Sequence, residues 1–245
     1  MRMALALVVA AMACGRVGFE PRHDAGDGSD GSDGSDAASP VCPAFALLCD
    51  DFESGTAAKW SGVSLSTLAS GTVSTTRSRS GEFAFDANVP MNTGIEFSTV
   101  YLRILPAQTT GVIAIREWVY ATAPFGSFDM VVGLFNNAAD KYFVFGCDNS
   151  DNWTATERST TTGTDDHLGS LPCAANVWTC VEMVYSLDAR HATLYVNDNA
   201  VLDVAVLDPA PQFDDIELGA LRADSAGFRI FVDDAVIATQ RIGCQ

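Results

Sequence analysis

The side chains best placed for chemistry recur at every second position in three consecutive runs. In Val112 to Ala121, Arg116, Trp118 and Tyr120 alternate with an apolar set, Ile113, Ile115, Val119 and Ala121, interrupted only by Glu117. The preceding run sets Tyr101 and Arg103 against Val100, Leu102 and Ile104, and the following run sets Asp129 against Phe128, Met130, Val132 and Leu134. Such alternation puts one set on each face of a strand. If the three runs are neighbours in one sheet, their polar and aromatic sets share a surface. Aromatic faces stack on the apolar faces of sugar rings, while guanidinium and carboxylate groups hydrogen-bond to hydroxyls. Tyr101, Arg103, Arg116, Trp118, Tyr120 and Asp129 are therefore expected to line a concave glycan-binding surface. The competing reading packs Trp118 and Tyr120 under loops as a second core layer, the commoner fate of large aromatics.

A second group, Asp165-Asp166-His167, has the types needed for acid–base work. It lies in a Thr- and Gly-rich stretch read as a loop, where a solvated turn is the plainer expectation, so no catalytic residue is assigned.

Cysteines form the third group. With Cys14 set aside, Cys42, Cys49, Cys147, Cys173, Cys180 and Cys244 remain, an even number in a chain that begins like an exported one, which predicts three disulfides. The preferred pairs are the short-range Cys42–Cys49 and Cys173–Cys180, which leave Cys147 with Cys244; Cys49–Cys244 is the alternative. Zinc is a weak rival, since no CxxC pair exists and His23, His167 and His191 are scattered.

The elements that must position these groups are strands. Val177, Thr179, Val181, Met183, Tyr185 and Leu187 oppose Trp178, Cys180, Glu182 and Ser186, which predicts a strand with one buried face. Ala192, Leu194 and Val196 repeat the pattern against Thr193 and Tyr195, Asn197-Asp198-Asn199 supplies a turn, and Ala200 to Val206 completes a meander. Further strand-like runs span Leu47–Glu53, Glu82–Val89, Ser98–Leu105, Val112–Ala121, Phe128–Phe135, Lys141–Cys147, Ile216–Arg222 and Phe228–Thr239. No helical periodicity is sustained beyond the N-terminal segment. The expectation is an all-β, two-sheet antiparallel sandwich filling residues 42–245 as one domain.

A Trp opening a strand, a short hairpin, then LYVND and an apolar return resemble the late hairpins of laminin-G and concanavalin A-like jelly rolls. CDDFESGTAAKW at Cys49 to Trp60, SRSGEFAF at Ser78 to Phe85 and FRIFVDDAVIATQRIGC at Phe228 to Cys244 are similar to segments of jelly-roll carbohydrate-binding modules. That resemblance implies a structural calcium ion held by Glu53, the Gly81 carbonyl and Asp233 or Asp234. Solvated acids at a sheet edge are the alternative. Retaining glycosidases of this architecture carry a Glu-x-Asp-x-x-Glu strand, which this chain lacks: Glu182 stands alone, and Asp215-Ile-Glu217 has no third acid. The Gln-x-His of jelly-roll polysaccharide lyases is likewise missing at Gln108, Gln212, Gln240 and Gln245.

The ends address the domain. Arg2 followed by the apolar run Met3 to Ala13 reads as a signal peptide, and Ala13-Cys14-Gly15 resembles a bacterial lipobox that would make Cys14 a lipidated N-terminus. Ala11 departs from the usual lipobox residue, which keeps plain cleavage and secretion open. Residues 15–41 form a Gly/Ser/Asp linker, with Asp24, Asp27, Asp30, Asp33 and Asp36 at every third position, and its stretch from His23 to Pro40 spans about 25 Å as a flexible chain. The net charge of −17, from 14 basic and 31 acidic residues, argues against nucleic acid as a partner and against direct docking on anionic lipid, which leaves the N-terminal lipid as the expected membrane contact. The reading is an extracytoplasmic, lipid-anchored, monomeric module that binds carbohydrate. A structural or adhesive envelope protein and a glycan-active enzyme are the alternatives.

Overall fold

The computed structural model describes residues 42–91, 96–126, 129–148, 152–222 and 227–244. These belong to one compact unit within Asp36–Gln245; the signal segment, Cys14, the linker to residue 41 and Phe128 lie outside the described residues.

Fifteen strands follow in order: β1 (Ala46–Asp50), β2 (Gly62–Leu65), β3 (Ser70–Ser74), β4 (Ala84–Val89), β5 (Ser98–Gln108), β6 (Val112–Ala121), β7 (Asp129–Asn136), β8 (Lys141–Cys147), β9 (Asn152–Ser159), β10 (Gly163–Pro172), β11 (Thr179–Ser186), β12 (His191–Val196), β13 (Asn199–Ala205), β14 (Phe213–Arg222) and β15 (Phe228–Ala238). All pairings are antiparallel and divide the strands between two sheets. The first runs β13-β12-β11-β6-β15-β4-β3, with β1 also on β15; the second runs β10-β9-β8-β7-β14-β5-β2. One edge of β15 is shared, β4 pairing along Phe228–Val232 and β1 along Ala235–Ala238. The Asp233-Asp234 step falls at that junction, where Asp234 takes a left-handed φ of 49° and the register with β6 shifts.

Alternation builds the core between the sheets. Ile113, Ile115 and Val119 of β6, Val181, Met183 and Tyr185 of β11, and Ile230, Val232 and Ile237 of β15 meet Val132 and Leu134 of β7, Phe143 and Phe145 of β8, Trp153 of β9, and Ile216 and Leu218 of β14. Aromatic rings lock the layers: Tyr185 lies 5.1 Å from both Phe143 and Phe213, and Phe145 lies 5.1 Å from Trp153. Truncating such a ring to Ala costs about 3–5 kcal/mol.

Several expectations are corrected. Strands β2, β3, β9 and β10 had no counterpart in the reading, because Ser, Thr, Gly and Asp dominate them; β2, β3 and β10 end their sheets and β9 lies one strand in from the edge. Asp165, Asp166 and His167 thus lie on β10, not in a loop. β11 buries both faces, Cys180 and Glu182 as fully as Val181 and Met183, because the C-terminal tail crosses its outer side: Glu182 accepts the amides of Ile242 at 2.6 Å and Gly243 at 3.1 Å. Val177 precedes the strand and is exposed.

Three disulfides form, and Cys42–Cys49 is as expected. The others are Cys147–Cys173 and Cys180–Cys244, not Cys173–Cys180 with Cys147–Cys244. The residues between Cys173 and Cys180 carry the chain from the second sheet to the first, so Cys173 meets the end of β8 while Cys180 faces the tail.

Candidate functional site

The six residues expected to share one surface do not. Tyr101 and Arg103 lie on β5 and Asp129 on β7 in the second sheet, whereas Arg116, Trp118 and Tyr120 lie on β6 in the first. Strands β5 and β6 are adjacent in sequence, but the turn between them crosses from one sheet to the other, and period-two alternation is blind to that. Arg116, Trp118 and Tyr120 are also covered. The Arg77 guanidinium stacks 3.9 Å from the Tyr120 ring centroid and Arg79 stacks 3.8 Å from that of Trp118. Tyr120 packs with Ala84, Phe231 and Trp178, and Arg116 donates to the carbonyls of Asp234 and Gly243. These are cation–π and packing contacts of a second core layer. At β7 a bulge between Met130 and Val132 reverses parity, so Asp129 is buried, its carboxylate accepting the Gly126 amide, while Met130 turns to the outer face.

The register of the second sheet brings a different set together. Arg103 pairs with Asp215, Asp215 with Phe135, Phe135 with Tyr142, Tyr142 with Arg158, and Arg158 with Thr164. One transverse row therefore crosses six strands on the outer face. At about 4.8 Å per strand its two arginines stand about 19 Å apart in backbone register. The next row reads Tyr101, Glu217, Gly133, Val144, Thr156 and Asp166. Two glycines seat aromatic rings here. A Cβ at Gly62 would stand 2.9 Å from the Tyr101 hydroxyl, and one at Gly133 would collide with the Phe135 ring. Phe135 and Tyr142 lie 6.1 Å apart and pack beside Met130, Val144 and Leu221, giving the face an apolar centre.

Charge surrounds that centre. Arg103 stands 3.6 Å from Asp215, and Arg158 bonds Asp140 at 2.5 Å. Thr99 donates to Glu217 at 2.8 Å and Thr156 to Asp166 at 2.7 Å. Asp215 is only 4% exposed, and its carboxylate is held by Arg103 and by the backbone amide of Ile216. Burial raises its pKa to about 6 against the opposing pull of Arg103, and burial raises Glu217 to about 6 despite Thr99. Of the expected residues only Tyr101 and Arg103 belong here. Asp215, Glu217, Phe135, Tyr142 and Arg158 were missed; the Asp-x-Glu spacing showed two acids on one side of a strand, but only the register reveals their neighbours.

Glu53, Gly81, Asp233 and Asp234 do converge on one turn. Glu53 accepts the amides of Glu82 and Phe83, both at 2.9 Å by Oε1, while Gly81 has a φ of 56° and leaves no space for a Cβ beside that carboxylate. From the other side Asp233 accepts the amides of Arg79 at 2.8 Å and Ser80 at 3.2 Å, and Asp234 takes the Arg79 guanidinium at 2.5 Å and the Ser80 hydroxyl at 2.9 Å. Burial and the adjacent Asp234 raise the Asp233 pKa to about 7. Among the described residues no three His, Cys, Asp or Glu side chains cluster as a metal site. Every carboxylate oxygen of these acids already accepts a hydrogen bond or ion pair within the protein, so a calcium ion here would have to displace the Arg79 guanidinium or the turn amides.

His167 lies 3.5 Å from Asp165 and 4.0 Å from Glu157, whose carboxylate accepts the amides of Leu207 at 2.9 Å and Asp208 at 2.6 Å. This group ties the β13–β14 connection to β9. Contact with Glu157 raises the His167 pKa; burial opposes the fall of Glu157, but His167 and the two amides outweigh it.

Two antiparallel sheets stacked as a jelly-roll sandwich, with a polar and aromatic outer face on one of them, define a lectin-type β-sandwich. The chain belongs to the concanavalin A-like lectin/glucanases superfamily, whose family model matches residues 92–240. Among solved structures it is similar to the cellulose-induced protein Cip1, at 17% identity and a TM-score of 0.64 over 81% of this chain and 100% of that one. It is also similar to an endo-β-1,4-glucuronan lyase from the fungus Trichoderma reesei, at 9% identity and a TM-score of 0.60 over 80% of this chain and 96% of that one. A sialidase matches at 13% identity and a TM-score of 0.55 over 80% of this chain but 19% of its own length. At these identities the likeness is one of fold. Curated protein sequences give no match.

Proposed function

We propose that this protein is an extracytoplasmic glycan-binding module and that the glycan lies on the outer face of the second sheet. The observation that carries this is the row Arg103–Asp215–Phe135–Tyr142–Arg158, an aromatic centre with hydrogen-bonding groups at both ends. Sugar rings present apolar faces to aromatic rings and hydroxyls to carboxylates and guanidinium groups, which is the composition this row offers. Membership of a lectin and glucanase superfamily and a fold shared with proteins named for cellulose and glucuronan agree with that chemistry.

The module is held at the membrane by a lipid on Cys14 and kept clear of it by the acidic linker; the Ala13-Cys14-Gly15 sequence supports the anchor. Its three disulfides suit an oxidising compartment. A calcium ion at Glu53, Gly81, Asp233 and Asp234 would tie the first and last strands together.

The test is retention on polysaccharide in native affinity gels. The wild-type protein is slowed by at least one polymer and Tyr142→Ala is not. A protein that no glycan slows rejects the reading.

A further inference from the structure

We propose that the glycan recognised by this face is a linear, uncharged polysaccharide rather than a polyuronate; this rests on the glycan-binding reading above and adds the class of ligand. The basis is the charge on the face itself. Its two rows and the adjoining turn carry four carboxylates, Asp215, Glu217, Asp166 and Asp140, against two guanidinium groups, Arg103 and Arg158. Each arginine already faces an acid of the protein, Arg103 at 3.6 Å from Asp215 and Arg158 at 2.5 Å from Asp140, so a sugar carboxylate would have to compete with these acids. Asp214, next along the chain, adds negative charge beside Asp215.

A uronate chain along this row would place like charges beside Asp215 and Glu217 in a partly dry setting, where repulsion is strong. Hydroxyl groups fit it well. The Asp215 side chain is nearly sealed from solvent and held by Arg103 and the Ile216 amide, while Glu217, one row on, is half-buried and bonded by Thr99 alone among the described side chains. A sugar hydroxyl can donate to the half-buried Glu217 carboxylate, and a hydrogen bond to a charged acceptor is among the stronger kinds. The ligand is long because the row is long: about 19 Å between the backbone positions of Arg103 and Arg158 exceeds a single sugar ring, and the ring pair Phe135 and Tyr142 lies between them. In this respect the face runs against the substrate named for the glucuronan lyase whose fold it shares.

The test uses the full-length protein with its disulfides intact, in native affinity gels at pH 7 and low salt. The gels contain either neutral polymers (β-glucan, xyloglucan, galactomannan, arabinoxylan) or polyuronates (glucuronan, alginate, polygalacturonate). The expected result is retardation by at least one neutral polymer and by none of the polyuronates. The double variant Asp215→Asn, Glu217→Gln then loses at least ten-fold in affinity for the neutral polymer. Its circular dichroism spectrum, matching that of the wild type, separates this loss from misfolding. Retardation by a polyuronate equal to or stronger than by any neutral polymer overturns the assignment of ligand class while leaving glycan binding intact. Retardation by neither group overturns the glycan-binding reading, and this inference with it.

Discussion

The guanidinium of Arg103 stands 3.6 Å from one carboxylate oxygen of Asp215, a buried acid that the Ile216 amide also holds. The pair joins β5 to β14 on the face where the ligand is placed.

Acidification should stabilise the protein. Asp215 and Glu217 both have folded pKa values raised to about 6, above those of the unfolded chain. Their contribution is fully present below the unfolded values near 4 and is lost as pH rises through about 6. Asp233, raised to about 7, and His167, also raised, act in the same direction. Glu157 opposes it, being lowered, so its contribution is lost only as pH falls through a value under the usual range. The melting temperature in chelator-containing buffer should therefore rise between pH 7.5 and pH 5, by an amount equivalent to about 1–2 kcal/mol. Asp215→Asn should flatten the profile; an unchanged slope contradicts the assignment.

Trp118 and Tyr120 should matter for stability and not for glycan. Both lie under stacked arginines on the first sheet, and Tyr120 is 8% exposed. Tyr120→Ala is expected to cost about 3–4 kcal/mol in urea unfolding while glycan affinity of the folded fraction stays within two-fold. Loss of binding with little loss of stability would return the ligand to the first sheet.

Much of the sandwich was legible. Alternation in β6, β11 and β12 gave the core face, and the hairpin around Asn197 was plain. Polar strands at or near the sheet edges were not legible, since Gly163 to Pro172 and Asn152 to Ser159 bury few apolar side chains of the kind that mark a strand. The site failed for a further reason. Tyr101 and Trp118 sit on matching alternations, yet nothing local says that the chain passes from one sheet to the other between them. The partners of Asp215 come from β5 and β7, more than a hundred and about eighty residues away, and only register brings them together.

Glu117 should be a destabilising residue. It points into the sandwich beside Val181, is fully buried, and neither oxygen has a hydrogen-bond partner among the described residues, so burial holds its pKa well above the usual range. Replacing it with Met, of similar volume, removes an unsatisfied polar group and is expected to add about 1–3 kcal/mol to unfolding in denaturant. A loss of that size would mean the carboxyl has a partner in solution.

Calcium should raise the melting temperature if Glu53, Asp233 and Asp234 hold the ion. Binding to the folded state alone stabilises by about 2.7 kcal/mol at a hundred-fold excess over Kd. Scanning calorimetry with calcium, with magnesium and with chelator distinguishes the cases: a rise with calcium that Asp233→Asn removes supports the site, and identical curves in all three buffers reject it.

The most direct test of glycan placement compares Tyr142→Ala and Trp118→Ala in affinity gels containing the polymer that slows the wild type, both variants being shown folded by near-ultraviolet circular dichroism. The account predicts that Tyr142→Ala weakens retention at least ten-fold, as expected for loss of a stacking ring worth about 1.4 kcal/mol or more, and that Trp118→Ala leaves it unchanged. Retention abolished by Trp118→Ala and untouched by Tyr142→Ala would contradict it.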